Sequence, residues 1–353
     1  MPLTVLSVSY SLAHVSRRTA GGAEQVLATL DEALVRAGHR SLVLAPAGSR
    51  CHGLLIPAQI PTGILDDMAK LEARRVFKKL LDRALDDYAV DIVHMHGLDF
   101  YDYLPHRQLP IVVSLHLPLS WYLPEGLRQA RSDVTLACVS ESQARTAPGD
   151  VRIDAVVPNG VDLARFYPRR RKSSYAFAMG RICPEKGLHL AIDAAEGAGV
   201  GLIIAGSVFD YPEHRDYFDA MIRPRLNSSI RFIGLVGGVR KANLLAGARC
   251  LLVPSLAPET SSLVAMEAMA AGTPVVTFPS GALSEIVTHQ RTGFLVNSAE
   301  EMAEAITEVD SILPTTCRRE AEQRFSSTRM FAQYLDLYRS VSIPETIAQV
   351  QAV

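Results

Sequence analysis

Short apolar, β-branched runs alternate with amphipathic stretches along most of the chain. In the first half, residues 4–9, 41–45, 91–96, 111–116 and 135–139 read as strands. Residues 23–37 place Val26, Leu27, Leu30, Leu34 and Val35 at helical spacing, and 66–87 repeats that pattern. Strands alternating with amphipathic helices make βαβ units on a parallel sheet covered on both faces. Residues 151–172 break the rhythm with two prolines, an Asn-Gly turn and the basic run 169–172, which reads as a solvated linker. A second series follows, with strands at 175–179, 201–205, 230–233, 250–253, 274–278 and 293–296. Helices fall near 187–198, 213–226, 240–246, 262–271 and 300–310, and a closing helical segment covers about 319–340.

The pattern predicts an α/β protein of two Rossmann-like, doubly wound domains: 1–155, 156–326, and a helical segment 327–353 that packs back on the first domain. Ligands of such sheets sit at the carboxyl ends of the strands, so two facing domains offer a cleft between those ends.

Composition narrows the class. A chain of 353 residues, 48% hydrophobic and 21% charged, is globular and long enough for two cores. A net charge of −1 gives no reason to expect nucleic acid as partner. The five cysteines (51, 138, 183, 250 and 317) are scattered and form no CxxC pair, which argues against a disulfide framework and a zinc site. The N-terminus reads as a first strand rather than a signal peptide, and no apolar run reaches the ~18 residues of a membrane span. A cytoplasmic protein is expected.

Candidate chemistry concentrates in the second half. The segment PETSSLVAMEAMAAGTPVV puts Glu259 in a loop, opens a helix near Ser261 or Ser262, and carries Glu267 inside that helix. A helix N-terminus presents unpaired N–H groups and partial positive charge, and so receives phosphate. Glu267 stands about 7 Å further along the helix. Two carboxylates around an anion site suit a ligand with hydroxyls at both ends and phosphate between them, as in a nucleotide sugar. Glu267 lies among Val264, Ala265, Met266, Ala268, Met269 and Ala270 and needs a partner if buried, either a ribose diol or a structural salt bridge. In MGRICPEKG (179–187), Arg181 can fork onto phosphate oxygens and Lys186 adds a point charge, although a plain surface loop would carry the same cations.

Signals in the first half are weaker. Gly21-Gly22 before a helix lets backbone approach a ligand, or is simply a flexible turn. His116 ends a strand where ligands gather, whereas His94 and His96 read as structural. No Asp-x-Asp pair occurs, which removes the usual motif for a divalent ion on a diphosphate, and no metal is expected. Arg74, Arg75, Lys78, Lys79 and Arg83 share a basic amphipathic helix, read as a solvated face or as a peripheral contact with anionic lipid at the inner membrane face.

Together these segments resemble the retaining family-4 glycosyltransferases of the GT-B fold. The resemblance rests on GGAE (21–24), DIVHMHG (91–97), SLH (114–116), VVPNGVDLARFYP (156–168), GRICPEKG (180–187), LIIAG (202–206), and Glu259 and Glu267 followed by AMAAGTPVV. It implies that Arg181 and Lys186 bind the donor diphosphate, Glu267 the ribose and Glu259 the transferred sugar. Backbone N–H groups at Ser261, Ser262 and Leu263 would also serve the donor. His116 matches the family's histidine near the sugar, and Gly21-Gly22 the loop over the donor phosphate. One departure stands out: Thr260-Ser261-Ser262-Leu263 occupies the place of a Gly-Phe-Gly-Leu-like run.

The expected activity is metal-independent transfer of a sugar from a UDP- or GDP-type donor to an acceptor hydroxyl, with retained configuration. Arg181, Lys186, Glu259 and His116 would form the catalytic set, and no cofactor is required. The acceptor remains open among a glycan, a lipid-linked sugar and a small-molecule aglycone. Around it lie loops near 11–18, 53–63 and 99–108, with Tyr101, Tyr103, Trp121 and Tyr122 as stacking candidates. The alternatives are a nucleotide-sugar epimerase or hydrolase of the same fold, and a non-catalytic sugar-nucleotide binder.

Overall fold

The computed structural model describes residues 2–17, 19, 21–61, 66–128, 131–169 and 171–342. The chain divides into two compact units, Met1–Pro158 with Thr328 onward, and Asn159–Ser327. Each is built on one parallel sheet.

In the first unit the strands are β1 (Thr4–Val8), β2 (Arg40–Pro46), β3 (Leu54–Ala58), β4 (Ile92–Met95), β5 (Ile111–Leu115), β6 (Val134–Cys138) and β7 (Ala155–Val156). Their order is β3-β2-β1-β4-β5-β6-β7, all parallel. The order reverses between β1 and β4, where a doubly wound sheet opens its binding crevice. Two helices show why the covering layers form. Gly22–Arg36 buries Val26, Leu27, Leu30 and Leu34. Asp67–Asp87 starts where the Asp66 side chain accepts from the Ala69 N–H, and buries Ala73, Phe77, Leu81 and Leu85. Covering a side chain such as Phe77 contributes about 1.5–3 kcal/mol.

The second unit holds β8 (Tyr175–Met179), β9 (Gly201–Ala205), β10 (Ile230–Phe232), β11 (Leu251–Val253), β12 (Val275–Thr277) and β13 (Gly293–Leu295). The order is β10-β9-β8-β11-β12-β13, again all parallel, with its reversal between β8 and β11. Phe177, Ile204, Leu252, Val276, Met266 and Met302 pack in one continuous core.

Four expectations need correction. Residues 54–58, read as loop, form β3; the run is short, ends the sheet and contains Pro57, which an edge strand tolerates. Residues 155–156 lie in the stretch read as linker but add β7 to the first sheet. Residues 213–226 are not one helix: Pro212–Tyr217 widens into a π turn and ends in a 3₁₀ turn holding Pro224, which cannot donate to a helix ladder. The closing segment is two helices, Pro314–Arg324 and Ser327–Ser342. Their junction is pinned by Val161, whose N–H donates to Phe325 O and whose O accepts from Ser327 N–H. A Cβ at Gly160 would lie 2.5 Å from Ser326 O, which explains the glycine after Asn159 by close backbone approach rather than by a turn.

The basic run is also less solvated than expected. Lys172 Nζ donates to Thr273 Oγ1 at 2.7 Å and Ala246 O at 2.9 Å, and burial lowers its ammonium to about 8. On the basic helix, Arg74 pairs with Asp102 at 3.0 Å and Arg83 with Asp87 at 3.3 Å. Helix Ser327–Ser342 packs on the first sheet through three aromatic rings. Tyr338 OH meets His94 Nδ1 at 2.7 Å, Tyr334 OH meets Ser114 Oγ at 2.6 Å, and Phe331 lies edge-on to His39. Parts of two expected loops, Arg18 and 62–65, lie outside the described residues, as do Arg170 and 343–353.

Candidate active site

The reversal point of the second sheet gathers most of the expected residues. β8 runs out into Gly180 and Arg181, then a single 3₁₀ turn, Pro184–Lys186, closed by Gly187 at φ 59°. A Cβ on Gly187 would lie 2.2 Å from Pro254 O, so only glycine lets this turn press against the end of β11. The Glu185 carbonyl accepts from the Leu256 N–H at 2.8 Å, tying the two loops together. The stem of Lys186 passes Gly180, its Cγ 3.8 Å from where a Gly180 Cβ would stand.

At the end of that stem, Lys186 Nζ lies 2.5 Å from Glu259 Oε1. The same oxygen accepts from Ser255 Oγ at 2.6 Å. The Glu259 backbone is itself fixed, because its carbonyl accepts from the Ala282 N–H, and Gly281 at φ 61° leaves it room. Arg181 is half-buried, and its side chain makes no hydrogen bond among the described residues. Its charge nevertheless contributes to holding the Glu185 carboxyl below the ordinary range, after Glu185's own backbone N–H and the Cys183 thiol.

Helix Leu263–Ala270 follows, with Ser262 at its N-cap but no side-chain cap bond. Its first N–H groups are therefore not satisfied by the capping side chain. Ser261 Oγ is buried beside them without a hydrogen-bond partner among the described residues. The helix is buried almost all round, from Ala265 to Ala270, and ends where Gly272 at φ 68° lets Thr273 N–H reach Ala268 O. Glu267 sits in this apolar helix and accepts from Lys241 Nζ at 2.5 Å, both side chains about nine-tenths buried. Lys241 was not foreseen. It stands four residues before buried Leu245 in Gly238–Gly247, so a lysine on the apolar face of that helix was the available signal.

The remaining expected residues belong to the first unit. His116 is stacked on His96, with His96 Nδ1 and His116 Nε2 3.0 Å apart. Burial lowers His116 to about 4, and pushes His94 and His96 well below their ordinary value, so all three are neutral at physiological pH. Gly21 precedes the helix with Glu24 folded over it, because a Gly21 Cβ would lie 1.8 Å from Glu24 Oε2. Burial raises the Glu24 carboxyl above its ordinary range. Tyr103 and Tyr122 are buried in the core, which removes them as exposed stacking groups; Tyr101 and Trp121 are exposed.

Two family models match the chain: Glycosyltransferase Family 4 over residues 20–165, and Glycosyl transferases group 1 over 173–310. The first spans β2 to β7 of the first sheet, and the second spans all six strands of the second sheet. The chain is a family-4 glycosyltransferase of the GT-B fold. This glycosyltransferase is similar to phosphatidyl-myo-inositol mannosyltransferase of Mycobacterium leprae, 25% identical over 94% of this chain and 96% of the relative. It is also similar to the solved glycosyltransferase involved in avilamycin A biosynthesis, at 25% identity and a TM-score of 0.74, over 97% of this chain and 98% of that one. The HepE protein of Anabaena, solved with UDP-glucose, shares the fold at 19% identity and a TM-score of 0.72, over 96% and 100%. Among the described residues no helix is long and apolar enough to cross a membrane.

Proposed function

We propose that this glycosyltransferase moves a hexose from a nucleoside diphosphate sugar to an acceptor hydroxyl with retained anomeric configuration, without a metal acting on the diphosphate. The carrying observation is the pairing of Lys186 with Glu259 at the reversal point of a parallel sheet, beside an uncapped helix N-terminus. Glycosyl transfer passes through an oxocarbenium-like state while negative charge grows on the departing diphosphate. Arg181, Lys186 and the first N–H groups of Leu263–Ala270 supply fixed positive potential for that charge. Glu259, once it shares Lys186 with a diphosphate, has its second oxygen for sugar hydroxyls. Glu267 and Lys241 form a buried donor–acceptor pair suited to a ribose diol.

Retention by a covalent intermediate would need a free carboxylate as nucleophile. Glu259 and Glu267 are each engaged by a lysine, which favours the front-face route, with a leaving-phosphate oxygen taking the acceptor proton. A thermal-shift screen across UDP, GDP and ADP sugars tests the reading. One donor should raise the unfolding midpoint, by the equivalent of about 2.7 kcal/mol at a hundredfold excess over Kd. No shift from any nucleotide sugar would contradict it. Sugar release or epimerisation from donor alone, at the full rate seen with acceptor, would replace transfer by the epimerase or hydrolase reading.

A further inference from the structure

Beside Lys186 lies a cluster that transfer does not use. Cys183 Sγ, a Glu185 carboxylate oxygen and a ring nitrogen of His214 all fall within 4.8 Å of one another. Cys183 and Glu185 come from the turn after β8, and His214 from helix Pro212–Tyr217. We propose that Cys183, Glu185 and His214 form a binding site for a zinc ion.

The donor set selects the metal. Thiolate, imidazole and carboxylate together suit zinc, whereas magnesium and calcium take oxygen donors. Three protein ligands satisfy a tetrahedral ion with one position left for water or an exogenous group. Ligand atoms around zinc stand roughly 3.3–3.8 Å apart, as bond lengths of about 2.0–2.3 Å require, so a small side-chain rotation closes the cluster.

His214 gives independent support. Its side chain is nine-tenths buried, and Nδ1 has no hydrogen-bond partner among the described residues. A buried polar atom left unpaired is costly and calls for an explanation. The ring is held by Phe209, stacked at 6.1 Å between centroids, and by Tyr211, edge-on at 5.2 Å, so its orientation is fixed by packing. Cys183 is fully buried; its thiol lies 3.7 Å from the Arg181 carbonyl and also interacts with the Glu185 carboxylate. Glu185 is exposed and leaves a route for the ion from solvent. The thiol gives its proton to solvent as it becomes the ligand.

The ion would join helix Pro212–Tyr217 to the turn that carries Lys186. The claim concerns metal binding alone, and stands or falls separately from sugar transfer.

The test uses the full-length chain without a histidine tag, stripped of metal and titrated with zinc against a chromophoric chelator. One equivalent should bind. Cys183→Ser and His214→Ala should each weaken binding by more than the ~10–100-fold that loss of an outer partner costs. Cys51→Ser, at the half-buried thiol of the first unit, should bind as the parent does. Because Cys183 and His214 are buried, Glu185→Gln serves as the exposed variant: the same loss with an unchanged unfolding midpoint supports the site. Cobalt in place of zinc should show a thiolate-to-metal absorption that Cys183→Ser abolishes. Absence of binding, or binding that survives all three ligand substitutions, would overturn the proposal.

Discussion

Lys186 Nζ lies 2.5 Å from Glu259 Oε1 and joins the turn after β8 to the loop after β11. The two residues are 73 positions apart in the chain. Each is held by backbone that tolerates only glycine at a neighbouring strained position, Gly187 for the turn and Gly281 for the loop. The pair is thereby aligned by the fold rather than by its own attraction.

Lys186→Met should keep the fold and lose the chemistry. Removing one fixed charge from a developing oxyanion typically costs about 10²–10³ in turnover. Steady-state transfer, or donor turnover where no acceptor is known, checks this, with circular dichroism as the control for folding. Near-parental turnover would remove Lys186 from the mechanism.

The Lys241–Glu267 pair separates stability from function. Lys241→Met leaves Glu267 buried without its cation and should cost about 3–5 kcal/mol. The double change Lys241→Met with Glu267→Leu should recover most of that loss, because an apolar pair packs without desolvation cost. Donor affinity should stay low in the double variant. Denaturant unfolding and nucleotide titration of the same three proteins read both effects.

Gly187→Ala should damage the turn that presents Lys186. The substitution forces a methyl to within 2.2 Å of Pro254 O at φ 59°, a strain on the order of 1–3 kcal/mol. The expected outcome is a lower unfolding midpoint together with weakened donor binding. Gly149→Ala, where a Cβ meets nothing within 4 Å, should leave both unchanged.

The histidine cluster makes the first unit acid-sensitive. His94, His96 and His116 are held neutral by burial, His116 at about 4, while their unfolded values lie near 6.5. Below about pH 6.5 the unfolded chain therefore binds more protons, and stability falls as pH drops towards 4. The loss grows with each histidine that stays neutral in the folded chain. Urea midpoints at pH 7.5 and 5.0 should differ strongly in the parent and less in His96→Leu. An equal drop in both would exclude His96 as a source.

The parallel architecture was legible because buried strands such as 175–179 and 201–205 are continuous apolar runs, and structure and pattern agree there to the residue. Short edge strands carried no such signal: β3 contains Pro57, and β7 is two residues long. Arg181, Lys186, Glu259 and Glu267 stand out in the sequence because polar residues in glycine-rich or apolar surroundings are conspicuous, and the structure pairs Lys186 with Glu259. Lys241 was missed because its partner Glu267 is 26 positions away. His214 was missed for the same reason, since it meets Cys183 and Glu185 only after β9 and its loop have intervened. Long-range pairing of single side chains leaves no local periodicity to read.

The most direct measurement is a calorimetric titration of the preferred nucleotide sugar into the parent chain and into the double variant Arg181→Ala, Lys186→Ala. Fixed charge on the diphosphate predicts saturable binding in the parent, and at least about a hundredfold weaker binding in the variant at an unchanged unfolding midpoint. Equal affinity in the two proteins would contradict the assignment of this site to a nucleoside diphosphate.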